Sequence, residues 1–185
     1  MAHPAPQAVG GGRQRDALLT TVWWFLTALL VVCLALGVLC LAAYPIVLVN
    51  HDYFAAGFRK DGIPEAALPW IGVMGVLGAI VLGLMYFFLR HLRRMIDSVA
   101  EGRPFDRVNA DRLRHMAWLS VAIQVFAVPL NRLIIWFDAM PYKPNVHHND
   151  DGISLGGIVL TLVLFVLARV FRTGADMQED LEGTV

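Results

Sequence analysis

The sequence predicts an all-α polytopic membrane protein with four transmembrane helices in a bundle. Its composition, the length of its apolar blocks and the placement of its arginines lead to this fold class. Hydrophobic residues make up 57% of the 185 residues and charged residues 16%, against about 45–50% and about 25% in soluble globular domains. Four apolar blocks can each supply the roughly 20 residues that a spanning helix needs. They cover residues 18–49, 69–89, 116–137 and 153–171.

The first span is expected at about residues 18–45, after a proline- and glycine-rich tail, 1–17, that we expect to be disordered and cytoplasmic. Its block is longer than the roughly 7–15 residues of a signal-peptide core. It also carries Trp23 and Trp24 where an interfacial aromatic belt would lie. We therefore expect a retained span. The helix is expected to end at Tyr44-Pro45, because proline disfavours a helical conformation in the residue before it. Residues 46–49 could continue as an interfacial turn.

The second span is expected over residues 69–89, with a helical extension to residue 101 that stops at Gly102. Gly75, Ala79 and Gly83 recur at four-residue spacing, a pattern of small residues that lets another helix approach closely. Close helix packing is the preferred interpretation, and a gating hinge is the alternative.

The third span, about residues 110–137, is predicted to begin after Asn109 as its N-cap. Ser120, Gln124 and Asn131 fall on one helical face, with Arg132 beside them. These four residues could provide inter-helix hydrogen bonds together with an arginine that extends to the interface. The alternative is an intramembrane ligand or ion site, since a charge within a span is a functional-site hypothesis by default.

Residues 90–115, here called the basic segment, hold seven of the fifteen lysines and arginines and separate the second span from the third. With a fourth span at about residues 153–172, both termini and the basic segment share one side, which carries eleven basic residues against three in the opposite loops. An excess of lysine and arginine marks the cytoplasmic side, so both termini are predicted to be cytoplasmic. The arginines are expected to bind anionic lipid or to dock a cytoplasmic partner; they are Arg90, Arg93, Arg94, Arg103, Arg107, Arg112 and Arg114. The acidic cytoplasmic tail, 173–185, could pair with them.

The loop before the fourth span contains a weak metal-site pattern, His147, His148, Asp150 and Asp151. Imidazole and carboxylate bind zinc and similar ions, but adjacent histidines match no defined ligand spacing, and a solvated loop is the preferred interpretation. The sequence holds no metalloprotease, phosphate-loop, serine-hydrolase or dinucleotide signature. We therefore expect neither an enzyme nor a bound cofactor.

Three short motifs resemble a family of small bacterial membrane proteins known as domain of unknown function 2975. They are the turn Gly102-Arg103-Pro104-Phe105, the polar residue Asn109 and the pair Leu113-Arg114. The acidic end, residues 179–185, is similar to the family's acidic terminus in Thr-Val, although Gly183 departs from that pattern. The resemblance covers roughly residues 18–185. It implies four helices, no established activity, and members often encoded beside small helix-turn-helix regulators.

The expected function is therefore that of a non-enzymatic regulatory or sensory protein of the bacterial cytoplasmic membrane, acting on a helix-turn-helix transcription regulator. The alternative is a small transporter or ion-handling protein that uses the polar face of the third span. The partners considered are the lipid bilayer, that regulator and further copies of the chain, with no direct binding to nucleic acid.

Overall fold

A computed structural model describes residues 12–60, 64, 67–101, 105–138 and 154–182 of the chain. These residues form five α-helices and no strand: α1 (Gly12–Val49), α2 (His51–Lys60), α3 (Leu68–Ala100), α4 (Arg107–Asp138) and α5 (Leu155–Glu182). All of them except α2 are long and apolar enough to cross a membrane. The predicted all-helical fold with four long apolar helices is confirmed, and it indicates a multi-pass membrane protein.

The four long helices pack in the order in which they occur along the chain. Extensive contacts join α1 to α3, α3 to α4 and α4 to α5, while the described residues form no comparable contact between α1 and α5. A closed four-helix bundle would bring its first and last helices together. The bundle is therefore open between α1 and α5. The end that carries residues 90–101, 105–116 and 169–182 is called the basic end below.

Three apolar clusters hold the helices together. One joins α4 to α5 around Leu113, Met116 and Leu164, with side chains of α3 packed against it. A second joins α1 to α3, and a third joins both of these helices to α2. Most other apolar side chains of α1 and α5 remain exposed, as expected for helices that face lipid.

Pro45 does not end the first helix, contrary to the prediction, since α1 continues to Val49. Contacts with α3 explain the continuation. The ring of Tyr44 lies against Gly72, and a Cβ added at Gly75 would lie 2.7 Å from the carbonyl oxygen of Cys40. Proline is tolerated within transmembrane helices that pack on neighbouring helices, and these contacts hold the turn before Pro45 against α3.

The predicted run of small residues on α3 is confirmed as a packing surface at Gly75 but not at Gly83, where an added Cβ would meet nothing within 4 Å. Gly72, one turn before Gly75, makes the other close approach to α1. The close contact therefore lies nearer the start of α3 than the spacing predicts.

Helix α2 was not predicted, because the predicted spans leave no helix between residues 45 and 69. Phe54, Ala55 and Phe58 share one face of α2 and pack on Val47 and Leu68 of its neighbours. An acidic residue in its first turn and two basic residues in its last turn favour this helix through its macrodipole. Both signals are visible in the sequence.

The N-cap of α4 is Asp106 and not Asn109, so this prediction was wrong. Helix α4 begins at Arg107, and the backbone N–H of Val108 donates to the Asp106 carboxylate at 3.0 Å. Asn109 lies within the first turn, where its side chain is fully buried. Both residue types favour the N-cap position, which left the choice between them open to error. Helix α3 ends at Ala100, and Gly102, its predicted stop, lies outside the described residues.

The two predicted tails differ from expectation where the structure describes them. Helix α1 begins at Gly12, so residues 12–17 are helical, and the sequence beyond Gly12 is rich in residues of good helix propensity. Residues 1–11 and 183–185 lie outside the described part. Helix α5 continues through the predicted acidic tail as far as Glu182.

Candidate functional site

Polar groups of α4 and α5 form a hydrogen-bonded set within the apolar part of the bundle, here called the polar cluster: Ser120, Gln124, Thr161 and the carbonyl of Gly157. The Thr161 hydroxyl donates to the Gly157 carbonyl at 2.8 Å and lies 2.9 Å from Ser120 Oγ. A hydroxyl carries one proton, so Ser120 is then the donor to Thr161. The amide of Gln124 also donates to Thr161 Oγ1 at 3.2 Å. Because Ser120 and Thr161 are buried, these bonds replace those that water would otherwise provide.

Gly157 allows the side chain of Gln124 to cross from α4 onto α5. A Cβ added at Gly157 would lie 2.9 Å from both Cδ and Oε1 of Gln124, closer than ordinary van der Waals contact. The absence of a side chain at position 157 therefore brings the amide within reach of Thr161.

A cavity of about 350 Å³ opens beside the polar cluster, between α3, α4 and α5. Its polar lining comes from Ser120, Gln124, Asn131 and Ser154, while Phe88 and other apolar side chains form the rest of the wall. None of the described residues that line it is ionisable. Hydrogen-bonding groups on an apolar wall are typical of sites for small molecules. This lining suits an uncharged amphipathic molecule better than an ion.

The structure brings three of the four residues predicted for an intramembrane site to this cavity. Ser120, Gln124 and Asn131 line it, but Arg132 does not, and the Arg132 side chain is exposed on the surface of the bundle. An arginine this close to the end of α4 can extend its guanidinium to the interface.

At the basic end, Asn109 connects α3 to α4. Its Nδ2 donates to Ser98 Oγ at 2.8 Å, and its Oδ1 accepts from Nη1 of Arg112 at 2.9 Å. The same Nη1 donates to the carbonyl of Arg94 at 2.9 Å. These bonds fix the junction between the end of α3 and the start of α4, and they assign Arg112 a structural contact.

Arg107 connects the start of α4 to the acidic end of α5. Its guanidinium lies 3.0 Å from Asp176 Oδ1 and 2.6 Å from Glu179 Oε2. Next to this pair, Phe105 packs on Phe171, and an added Cβ at Gly174 would lie 2.9 Å from the Phe105 ring. The expected pairing between the acidic tail and the basic segment is therefore present. All three charged side chains are more than half exposed, so each ion pair contributes at most about 1 kcal/mol.

The other predicted arginines differ in their surroundings. The Arg93 guanidinium lies 4.1 Å above the ring of Trp23, a cation–π contact that joins α3 to α1. Arg90, Arg94 and Arg114 have exposed side chains. Arg103 lies outside the described residues.

The predicted metal-site residues His147, His148, Asp150 and Asp151 also lie outside the described residues, so that hypothesis stays a prediction. Within the described ranges, no three histidine, cysteine, aspartate or glutamate side chains are grouped in a way that could hold a metal ion.

A family model described as "Protein of unknown function (DUF2975)" matches residues 54–185. The chain belongs to the DUF2975 family. The resemblance inferred from the short motifs is thus confirmed, although the match begins within α2 and leaves α1 uncovered. Searches of curated proteins and of solved structures gave no match.

The motif residues that suggested the DUF2975 family have structural contacts at the basic end. Phe105 packs on α5, Asn109 joins α3 to α4, and Leu113 is buried in the cluster between α4 and α5. Arg114 is exposed beside α5. Gly102, Arg103, Pro104 and residues 183–185 lie outside the described ranges.

The contribution of α5 to the polar cluster was not predicted from the sequence. Gly157 and Thr161 are four residues apart, the same spacing of small residues that identified the packing surface on α3. That spacing could have identified α5 as the partner of Gln124.

Proposed function

We propose that this member of the DUF2975 family is a membrane sensor without catalytic activity, which signals to a cytoplasmic transcription regulator. In this proposal a small, uncharged amphipathic molecule from the bilayer binds in the cavity between α3, α4 and α5. The main observation in support of this proposal is that α4 and α5 both contribute to the polar cluster and both contribute to the ion pairs of Arg107.

Continuous helices support communication between these two places. Arg107 and Gln124 lie about 25 Å apart along α4, and Thr161 and Asp176 about 22 Å apart along α5, at 1.5 Å per residue. A ligand that accepts a hydrogen bond from the Gln124 amide would compete with Thr161 for that bond. Loss of the bond to Thr161 would loosen α5 from α4. Packed helices respond to such a change by shifting as units, so the ion pairs of Arg107 would change as well.

The basic end is the proposed surface for the regulator. When Asp176 and Glu179 form ion pairs with Arg107, the positive charge at the start of α4 is neutralised. Release of α5 would expose that charge to an acidic surface of a partner. The helix-turn-helix class of this partner comes from the family resemblance, and the excess of arginine at this end supports a cytoplasmic location. A reporter fused to the C-terminus should therefore be active only inside a bacterial cell.

The direct test combines two measurements: co-purification with a helix-turn-helix protein encoded beside this one, and the rate of transcription from that protein's target promoter. Arg107→Glu should abolish both readouts, because the released start of α4 then presents a negative charge to the partner. Asp176→Asn with Glu179→Gln should make the association independent of the signal, because Arg107 is left without its two carboxylates. Arg90→Glu is the matched control, an exposed arginine on α3 with no ion pair among the described residues. Equal effects of Arg107→Glu and Arg90→Glu, or no association of the wild-type protein, would contradict the proposal.

The role of the cavity is tested separately. Gln124→Leu should abolish the transcriptional response to membrane-soluble compounds while the regulator stays bound. Val125→Leu changes the adjacent, lipid-exposed residue and should leave the response intact. If both variants respond like the wild type, the cavity is not the sensing site.

The second candidate function is a small transporter, which the three polar side chains Ser120, Gln124 and Asn131 along one wall of the cavity favour. Solute flux in vesicles reconstituted with the pure protein distinguishes the two functions. Flux that Gln124→Leu abolishes would favour transport, whereas a sensor gives no flux in either form.

A further inference from the structure

A second hollow, here called the arginine crevice, lies between α4 and α5 at the basic end and is separate from the cavity of the proposed function. It encloses about 400 Å³. Arg114 of α4 and two arginines of α5, Arg169 and Arg172, contribute to its lining, with Phe165 and Ala168 as an apolar floor.

The positive charge of the arginine crevice is not balanced. Asp111 is its one acidic lining residue against three arginines. Among the residues that the structure describes, no carboxylate forms an ion pair with Arg114, Arg169 or Arg172. Arg107, also at the basic end, contacts two carboxylates. Three arginines beside one described carboxylate favour an anion as the occupant of the crevice.

The depth of the arginine crevice is that of a lipid headgroup. Trp118 is 58% exposed and packs edge-on against Phe165, with ring centroids 5.8 Å apart. Tryptophan is enriched at the boundary between headgroups and acyl chains. Arg114 and Arg169 each lie one turn, about 6 Å, from Trp118 and Phe165 towards the basic end. The charges thus lie just outside the apolar layer.

The surface next to the arginine crevice suits acyl chains. Leu162 and Val166 of α5 are each more than half exposed. Both lie nearer the middle of the membrane than Arg169 and extend the apolar surface beside the crevice in that direction. A free phosphate ion would use the arginines but would leave this surface without a function.

We propose that the arginine crevice binds the phosphodiester headgroup of one anionic phospholipid, with its acyl chains along α5. Guanidinium groups bind phosphate oxygens in a two-pronged geometry, and three arginines line this crevice together with Phe165 and Ala168. The site is a defined pocket, in contrast to the diffuse attraction that arginines near an anionic membrane exert. It does not depend on the proposed sensory function.

The test measures the lipid that the full-length protein retains, by native mass spectrometry from mixed micelles of phosphatidylglycerol and phosphatidylcholine. The wild type should retain one phosphatidylglycerol in preference to phosphatidylcholine. Arg169→Gln with Arg172→Gln should weaken this binding about a hundredfold, at about tenfold for each charge-assisted contact with the phosphate that is lost. Arg90→Gln with Arg94→Gln removes the same charge from exposed positions on α3 and should weaken it less than threefold.

Further measurements separate the possible outcomes. Arg169→Lys with Arg172→Lys keeps the charge without the forked geometry and should give an intermediate affinity. Circular dichroism should show unchanged helix content in every variant that is compared. Equal loss in the two glutamine pairs, or no preference of the wild type for phosphatidylglycerol, would overturn the proposal. Glycerol 3-phosphate that displaces the lipid at equal concentration would also overturn it, by showing that the acyl chains contribute nothing.

Discussion

Replacing Gly75 by alanine should push α1 away from α3. The new Cβ would lie 2.7 Å from the carbonyl oxygen of Cys40, whereas ordinary contact begins at 3.4 Å, so the two backbones must separate by about 0.7 Å. The obstructing atom belongs to a helical backbone and cannot rotate away as a side chain can. Overpacking of this kind costs about 1–3 kcal/mol, and we expect the free energy of unfolding to fall by about 2 kcal/mol.

The measurement is reversible unfolding of the purified protein by sodium dodecyl sulfate in mixed micelles, followed by circular dichroism. Gly83→Ala is the matched control, because it lies eight residues further along α3 and its added Cβ meets nothing within 4 Å. It should raise the free energy of unfolding by up to about 1 kcal/mol, because alanine has a higher helix propensity than glycine. If the two variants instead lose equal stability, the loss does not come from the clash with Cys40, and the proposed close contact of α1 with α3 is refuted.

Two further predictions concern the contact of α4 with α5 and the start of α4. Gly157→Ala should cost about 1 kcal/mol by displacing the amide of Gln124 from Thr161, and it should cost nothing once Gln124→Ala has removed that amide. The same unfolding assay in a double-mutant cycle measures this, and additive effects would contradict it. Asp106→Ala should cost about 1 kcal/mol as the loss of an N-cap. Asn109→Ala should cost more, at up to about 3 kcal/mol, because it removes a fully buried side chain together with its hydrogen bonds to Ser98 and Arg112. The reverse ranking would restore Asn109 as the cap.

The four long helices could be predicted from the sequence because their signal is averaged over many residues. Length and apolar content define a span without knowledge of its partners. The placement of Ser120, Gln124 and Asn131 on one face was also predictable, since it depends only on the period of the helix. The partners of that face were not predicted, because Thr161 and Gly157 belong to a helix that begins more than thirty residues after Gln124.

Local signals failed where packing between helices outweighed them. A proline such as Pro45 ends many helices in water. Here Tyr44 and Cys40, which precede it in the chain, hold α1 against α3. Asn109 has the chemistry of a cap, yet its complete burial assigns it to Ser98 and Arg112. In each case the deciding contact lies on another helix or at another turn, where no local pattern reports it.

The open bundle has a consequence for how the protein is assembled in the membrane. Each long helix packs with the one synthesised before it, so the chain can fold in the order of translation. Helix α3 meets α1 already inserted, and α5 arrives last with Thr161 to complete the hydrogen bonds of Ser120. A closed bundle would have to join its last helix to its first, whereas this topology keeps the sequence separation between contacts low. Low separation favours fast folding, and a ribosome stalled after α4 would leave α1, α3 and α4 with their mutual packing already formed.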